Sequence, residues 1–233
     1  MSVWQKISEF FTSVGDKPGL KKTFSQLFDV NNLLPGGRDA AFTLALVALL
    51  AKMAGADGVV TNSEVVAFRA SVDVPKGSEK QVERLFELAQ QDVAGFETYA
   101  KKIKKLFFEQ PQTLEHVLES LFYIGAADGI IHEAEMDYLK AVSDIFGFDD
   151  KKFEQIAAAF IIDENKENPY LVLGLTPDVG EDEVRRVYKN LASENHPDRL
   201  IAKGVPKEML DIANARMASI NVAYKAIAEM RNI

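Results

Sequence analysis

Apolar positions recur at helical spacing, three and four residues apart, along the length of this chain. The reading is therefore all-α. Val3, Trp4, Ile7, Phe10, Phe11 and Val14 make residues 1–15 an amphipathic helix. It has no continuous apolar core and no small-residue cleavage site, so it does not read as a signal peptide. Residues 15–35 form a broken connection, with Phe24, Leu27 and Phe28 anchoring a short helix that Leu34-Pro35-Gly36-Gly37 ends. Residues 40–56 follow as an apolar helix, interrupted by Lys52. That run is shorter than the ~20 apolar residues a bilayer requires. It is expected to be the buried central helix of a first domain. Lys101, Lys102, Lys104 and Lys105 interleave with Ile103, Leu106 and Phe107, which predicts the solvated side of an amphipathic helix. Gly147 and Asp149-Asp150 mark a turn before a helix over residues 151–162. The polar stretch 163–167 is a short domain boundary, so the part after it is expected to sit close to the part before it.

One segment is written twice. Ala56-Asp57-Gly58-Val59-Val60-Thr61-Asn62-Ser63-Glu64 aligns with Ala127-Asp128-Gly129-Ile130-Ile131-His132-Glu133-Ala134-Glu135, at an offset of 71 residues. The match extends back to Leu50 and Leu121 and forward to Phe68 and Leu139. Each copy reads as helix, Asp-Gly turn, two β-branched residues, helix. Thr61 to Glu64 has the pattern of a capping box, in which the carboxylate reaches back to the cap residue's N–H. His116, inside a helix, and His132, at a helix start, read as surface or capping groups.

The last part of the chain predicts a helical hairpin. Asn168 is a good N-cap and Pro169 suits the first helical position. Gly174 can take the left-handed conformation that ends a short helix. Gly180 precedes Glu181, Asp182 and Glu183, whose charges suit the positive end of a helix dipole. Val184, Val187, Tyr188, Leu191 and Ala192 share one face, and Arg185, Arg186 and Lys189 fall on another. Pro197 disfavours helix at His196, so this helix should stop there. Pro206 restarts one, with Met209, Ala213, Met217, Ile220, Tyr224 and Ile227 as its stripe.

Two helices flanking an exposed His196-Pro197-Asp198, preceded by Asn168-Pro169-Tyr170 and followed by Ile220-Asn221-Val222-Ala223-Tyr224, resemble the J domain of DnaJ-type co-chaperones. The resemblance implies docking on a DnaK-type chaperone ATPase and stimulation of its ATP hydrolysis. By that resemblance His196, Pro197 and Asp198 make the contact, and Arg185, Arg186, Lys189 and Arg199 supply charge. The family often has Lys where Arg199 stands and a basic residue where Asn190 stands.

Composition then narrows the function. The 233 residues are 47% hydrophobic and 27% charged, as in globular proteins. No cysteine is present, which removes disulfides, thiolate metal sites and thiol catalysis. The net charge of −8 argues against nucleic-acid binding, and all of it lies in residues 1–164. No nucleophile–base pair, phosphate loop or cofactor motif is visible, so an enzyme is not expected.

The duplicated Asp-Gly pattern resembles the TerB-like fold, over roughly residues 38–160. That resemblance implies Asp57, Glu64, Asp128 and Glu135 as candidate ligands for a divalent metal. Capping and turn roles account for the same four residues, and two carboxylates per copy fall well short of a calcium loop. The expected organisation is an N-terminal extension 1–37, a TerB-like helical bundle 38–163 with an internal duplication, and a small helical-hairpin J domain 164–233. This order resembles the DjlA-like co-chaperones of bacteria, without their usual transmembrane segment. The expected partners are a DnaK-type ATPase and an unidentified client, with homodimerisation and weak membrane contact through residues 1–15 left open. The expected location is cytoplasmic or peripheral at the inner membrane. The alternative is a TerB-like metal or stress module with a regulatory J domain.

Overall fold

A computed structural model of the chain describes residues 37–53, 79–91, 95–161, 168–202 and 210–232. Every regular element among them is a helix, so the fold is all-α. The expected N-terminal helix, the first Asp-Gly copy with Thr61, and the polar boundary lie outside the described residues.

Helix α1 (Gly37–Met53) is the axis of the first body. From Thr43 to Met53 every side chain is buried except that of Lys52. A helix apolar on all sides must be enclosed on all sides. Helices α2 (Glu79–Gln91), α3 (Phe96–Leu106) and α4 (Pro111–Gly125) enclose it. Burying each leucine contributes about 1.5–3 kcal/mol. Along α3, Tyr99, Ala100 and Ile103 face inward while Lys101, Lys104 and Lys105 are exposed, as the interleaving predicts.

After α4 the chain makes a 3-10 turn (Ala126–Asp128) and passes Gly129 at φ +91°. A side chain at that φ would be strained, which explains a glycine after the aspartate. Helix α5 (Glu133–Phe146) packs on α3 and α4. Its Tyr138 hydroxyl donates to the Leu49 carbonyl at 2.8 Å, tying α5 to α1. Helix α6 (Asp150–Ala157) starts on Asp149, whose carboxylate accepts from the Lys152 N–H at 2.8 Å. It is shorter than the expected 151–162. The chain turns over residues 158–160, and the Ala159 carbonyl accepts the Ser219 hydroxyl at 2.6 Å.

The second body is built from α7 (Pro169–Val172), α8 (Glu181–Glu194), α9 (Pro197–Ala202) and α10 (Leu210–Arg231). Helix α10 packs against the other three. Tyr170, Leu173, Val184, Ile220, Ala223 and Ile227 form its core. Asn168 caps α7 by accepting from Tyr170 N–H at 3.1 Å. Arg231 closes the far end. Its guanidinium donates to the Tyr170 hydroxyl at 2.7 Å and to the carbonyls of Val179 and Pro177 at 2.6 and 2.5 Å.

The two cores share no buried residue; the first comes entirely from α1–α6 and the second from the C-terminal part. The join between them is polar. Glu119 on α4 and Arg216 on α10 are each 1% exposed, with Nε 3.2 Å from Oε1. The Nε–H is not aligned for a hydrogen bond, so the contact is an ion pair by proximity. The guanidinium also reaches the carbonyls of Gln155 and Val172, at 3.5 and 3.4 Å. His116 holds the other carboxylate oxygen, Nδ1 to Oε2 2.9 Å. Burial pushes the Glu119 carboxyl up, but the His116 hydrogen bond and the Arg216 charge outweigh it and hold the group below its ordinary value. At the edge, Lys152 and Glu115 pair at 2.5 Å.

His116 corrects an expectation. It is buried, not a surface or capping group. The reason is that α4 has two covered sides: one faces the first core and the other meets α10.

Gly174 marks how close the bodies come. It sits at φ +70°, and a Cβ there would lie 2.8 Å from Gln155 Nε2. Gly174→Ala should cost about 1–2 kcal/mol from the left-handed backbone alone. Urea unfolding of the full chain measures this, and an unchanged midpoint would contradict the reading.

Candidate partner-docking site

The His196-Pro197-Asp198 triplet is pinned at both ends and open in the middle. Upstream, α8 ends at Glu194 and Asn195 is buried, its Nδ2 donating to the Leu191 carbonyl at 2.9 Å. Downstream, Leu200 is buried at 1% exposure. Between these anchors the side chains of His196 and Asp198 are 58% and 89% exposed. The triplet runs directly into a helix. Pro197 opens the short helix α9, and the His196 carbonyl accepts from the Arg199 and Leu200 N–H groups at 3.0 and 3.1 Å. A proline at the first helical position and an acid in the first turn are the signals that announce it.

His196 Nδ1 accepts from the Asp198 N–H at 3.3 Å. Asp198 Oδ2 approaches the same nitrogen to 3.9 Å. The arrangement offers an exposed imidazole and an exposed carboxylate side by side. Arg199 is held by Ser193, turned back toward α8.

The three expected charges on α8 are not equivalent. Arg186 is engaged by Glu183 through two hydrogen bonds, 2.9 Å from Nε and 2.6 Å from Nη2. That pairing holds the Glu183 carboxyl below its ordinary value and raises the guanidinium. Arg185 lies 4.0 Å from Glu181. Lys189 is exposed. Beside them α8 is fastened to α10 by stacked Tyr188 and Tyr224 rings, 4.0 Å between centroids, and by Tyr188 donating to Asn221 at 3.1 Å.

The candidate metal ligands divide between regions. Asp57 and Glu64 lie outside the described residues. Asp128 is exposed and accepts from the Ile130 N–H at 3.0 Å, a turn-stabilising bond. Glu135 is 3% exposed and accepts from the His132 N–H at 2.9 Å, the reach-back of a capping box. Among the described residues no group of three or more potential ligands gathers.

Residues 43–158 match the family model of the tellurite resistance protein TerB. The chain is 28% identical over 225 residues to the co-chaperone protein DjlA of Photobacterium profundum, covering 86% of this chain and 81% of that protein. It is 27% identical over 203 residues to the co-chaperone protein DjlA of Coxiella burnetii, covering 78% and 74%. The DjlA of Shewanella oneidensis is 23% identical over 231 residues, covering 93% and 87%. No solved structure matches the chain. The chain is DjlA-like and TerB-containing.

Within this DjlA-like chain, sequence reasoning missed one support of the site and one residue of the join between the bodies. Asn195 reads as an ordinary polar residue between a helix and a proline turn, yet it is buried and anchors the triplet. Arg216 sits on the apolar face of α10, where a charge at helical spacing with Ala213 and Ile220 is the one visible sign of a second contact surface. Among the described residues no helix is long and apolar enough to cross a membrane.

Glu135→Ala should lower stability by about 1 kcal/mol, the typical worth of a cap. Calcium, magnesium or zinc should leave the thermal midpoint of the unsubstituted chain in place, since a ligand of the folded state must raise it. A rise of several degrees that Asp128→Asn removes would reassign these carboxylates to a metal.

Proposed function

We propose that this protein is a J-domain co-chaperone. Residues 164–233 form the J domain, which docks on a DnaK-type chaperone and stimulates its ATP hydrolysis. The observation that carries the reading is the exposed His196 and Asp198 held between the buried Asn195 and Leu200. The co-chaperone names of the DjlA relatives support it. The hairpin offers no covalent chemistry of its own. An exposed imidazole, a carboxylate and a short basic face suit recognition of another protein's polar surface. His196, Pro197 and Asp198 make the central contact, with Arg185, Lys189, Arg186 and Arg199 around it. The acidic TerB-like domain, residues 38–163, selects a client, a location or a second copy of the chain.

The decisive experiment is a steady-state ATPase assay with the DnaK-type chaperone of the same host. The unsubstituted chain should raise turnover, and His196→Gln should remove the effect while far-UV circular dichroism stays unchanged. Equal stimulation by the two proteins would overturn the reading.

A second expectation follows from the pairing on α8. Arg186 is partly neutralised by Glu183, so Lys189 and Arg185 carry most of the steering. Lys189→Glu should slow association with the chaperone by several-fold at low salt, and Glu183→Gln should speed it by releasing Arg186. Both effects should shrink as ionic strength rises. Stopped-flow association rates test this. No salt dependence in either variant would place the docking face elsewhere.

A further inference from the structure

The join between the two bodies is built unlike either core. Arg216 and Glu119 are both 1% exposed, and the two residues stand 97 positions apart in the sequence. A charge buried without a partner is strongly unfavourable, so each of these side chains requires the other in place. The guanidinium fork further reaches the carbonyls of Gln155, on α6, and Val172, on α7. Ser219, one turn along α10, bonds the Ala159 carbonyl at 2.6 Å. His116 fixes the carboxylate from its own helix. The hydrogen bonds among these contacts are directional. Sliding or rotating one body on the other by a side-chain width would separate the buried charges and leave the carbonyls of Gln155 and Ala159 without these donors.

We propose that Arg216 and Glu119 are positioning residues that lock the C-terminal hairpin to the TerB-like body in one orientation. The hairpin is then not a module swinging on a tether. The face of α10 that carries Arg216 and Ser219 is occupied within the molecule, and α8 with the His196 triplet remains as the open side. The lock stands on the geometry alone. Its consequence, that a chaperone partner meets the TerB-like body at a fixed place, rests on the co-chaperone reading.

The test uses the full chain and needs no partner. The absence of native cysteine allows two labels to be placed cleanly. Asp137→Cys on α5 and Asn190→Cys on α8, both exposed, would carry nitroxide spin labels. Double electron–electron resonance should give one narrow distance distribution. Glu119→Gln and Arg216→Gln should each broaden it markedly, and the two together should broaden it no further than either alone. Far-UV circular dichroism checks that the helices persist. Should Glu119→Gln fail to fold, Ser219→Ala removes a contact across the same join more gently and should broaden the distribution to a smaller degree. A broad distribution in the starting chain, or a narrow one unchanged in the variants, would overturn the lock. A narrow distribution in a chain that fails to stimulate the chaperone would uphold the lock and remove only the co-chaperone reading.

Discussion

A guanidinium with 1% exposure has almost no access to water, and the nearest carboxylate that can balance it is Glu119 on the other body. This one requirement organises the middle of the molecule. Replacing a buried ion pair by apolar groups of similar volume is often neutral, whereas removing one partner costs about 3–5 kcal/mol. The contribution of such a pair is therefore to the choice of arrangement more than to net stability. An apolar join between the bodies would tolerate sliding, because hydrophobic contact is not directional. Across the join observed here two charges meet, and Arg216 and Ser219 donate to the carbonyls of Gln155 and Ala159.

The triplet shows the same division between anchoring and display. Asn195 and Leu200 are buried, while His196 and Asp198 are open to solvent. Pro197 serves both sides of the division. Its ring ends α8 by excluding helical geometry at His196, and its fixed φ begins α9. Each anchor lies within four residues of the exposed pair, so the two polar groups are presented with little freedom to lose on binding.

The sequence reveals some of this and hides the rest for identifiable reasons. Helix α1 is legible because an apolar run with one lysine can only be a buried helix at that length. The hairpin is legible from its caps, its stripes and Pro197. Gly174 and Asn168 take the roles their chemistry suggests. His116 and Arg216 are not legible. A histidine inside a helix and an arginine on a stripe acquire meaning only when α4 and α10 are brought together, and no local pattern encodes that pairing. The inequality of Arg185, Arg186 and Lys189 is half visible. Glu183 lies three residues before Arg186 and Glu181 four before Arg185, both spacings that allow a pair, but only the geometry separates a bidentate contact from a 4.0 Å approach.

Charge placement adds a last constraint. The hairpin is neutral in sum, while the rest of the chain carries the whole of −8. An acidic partner approaching the basic face of α8 feels that face attract it and the remainder of the molecule repel it. At physiological ionic strength either field fades within about 8 Å. The balance then depends on which acidic groups stand within that distance of α8. A hairpin free to tumble would sample many such balances, some of them repulsive. A hairpin held through Glu119 and Arg216, as proposed, has one balance, set by the charges of α8 and by the acidic groups fixed beside it.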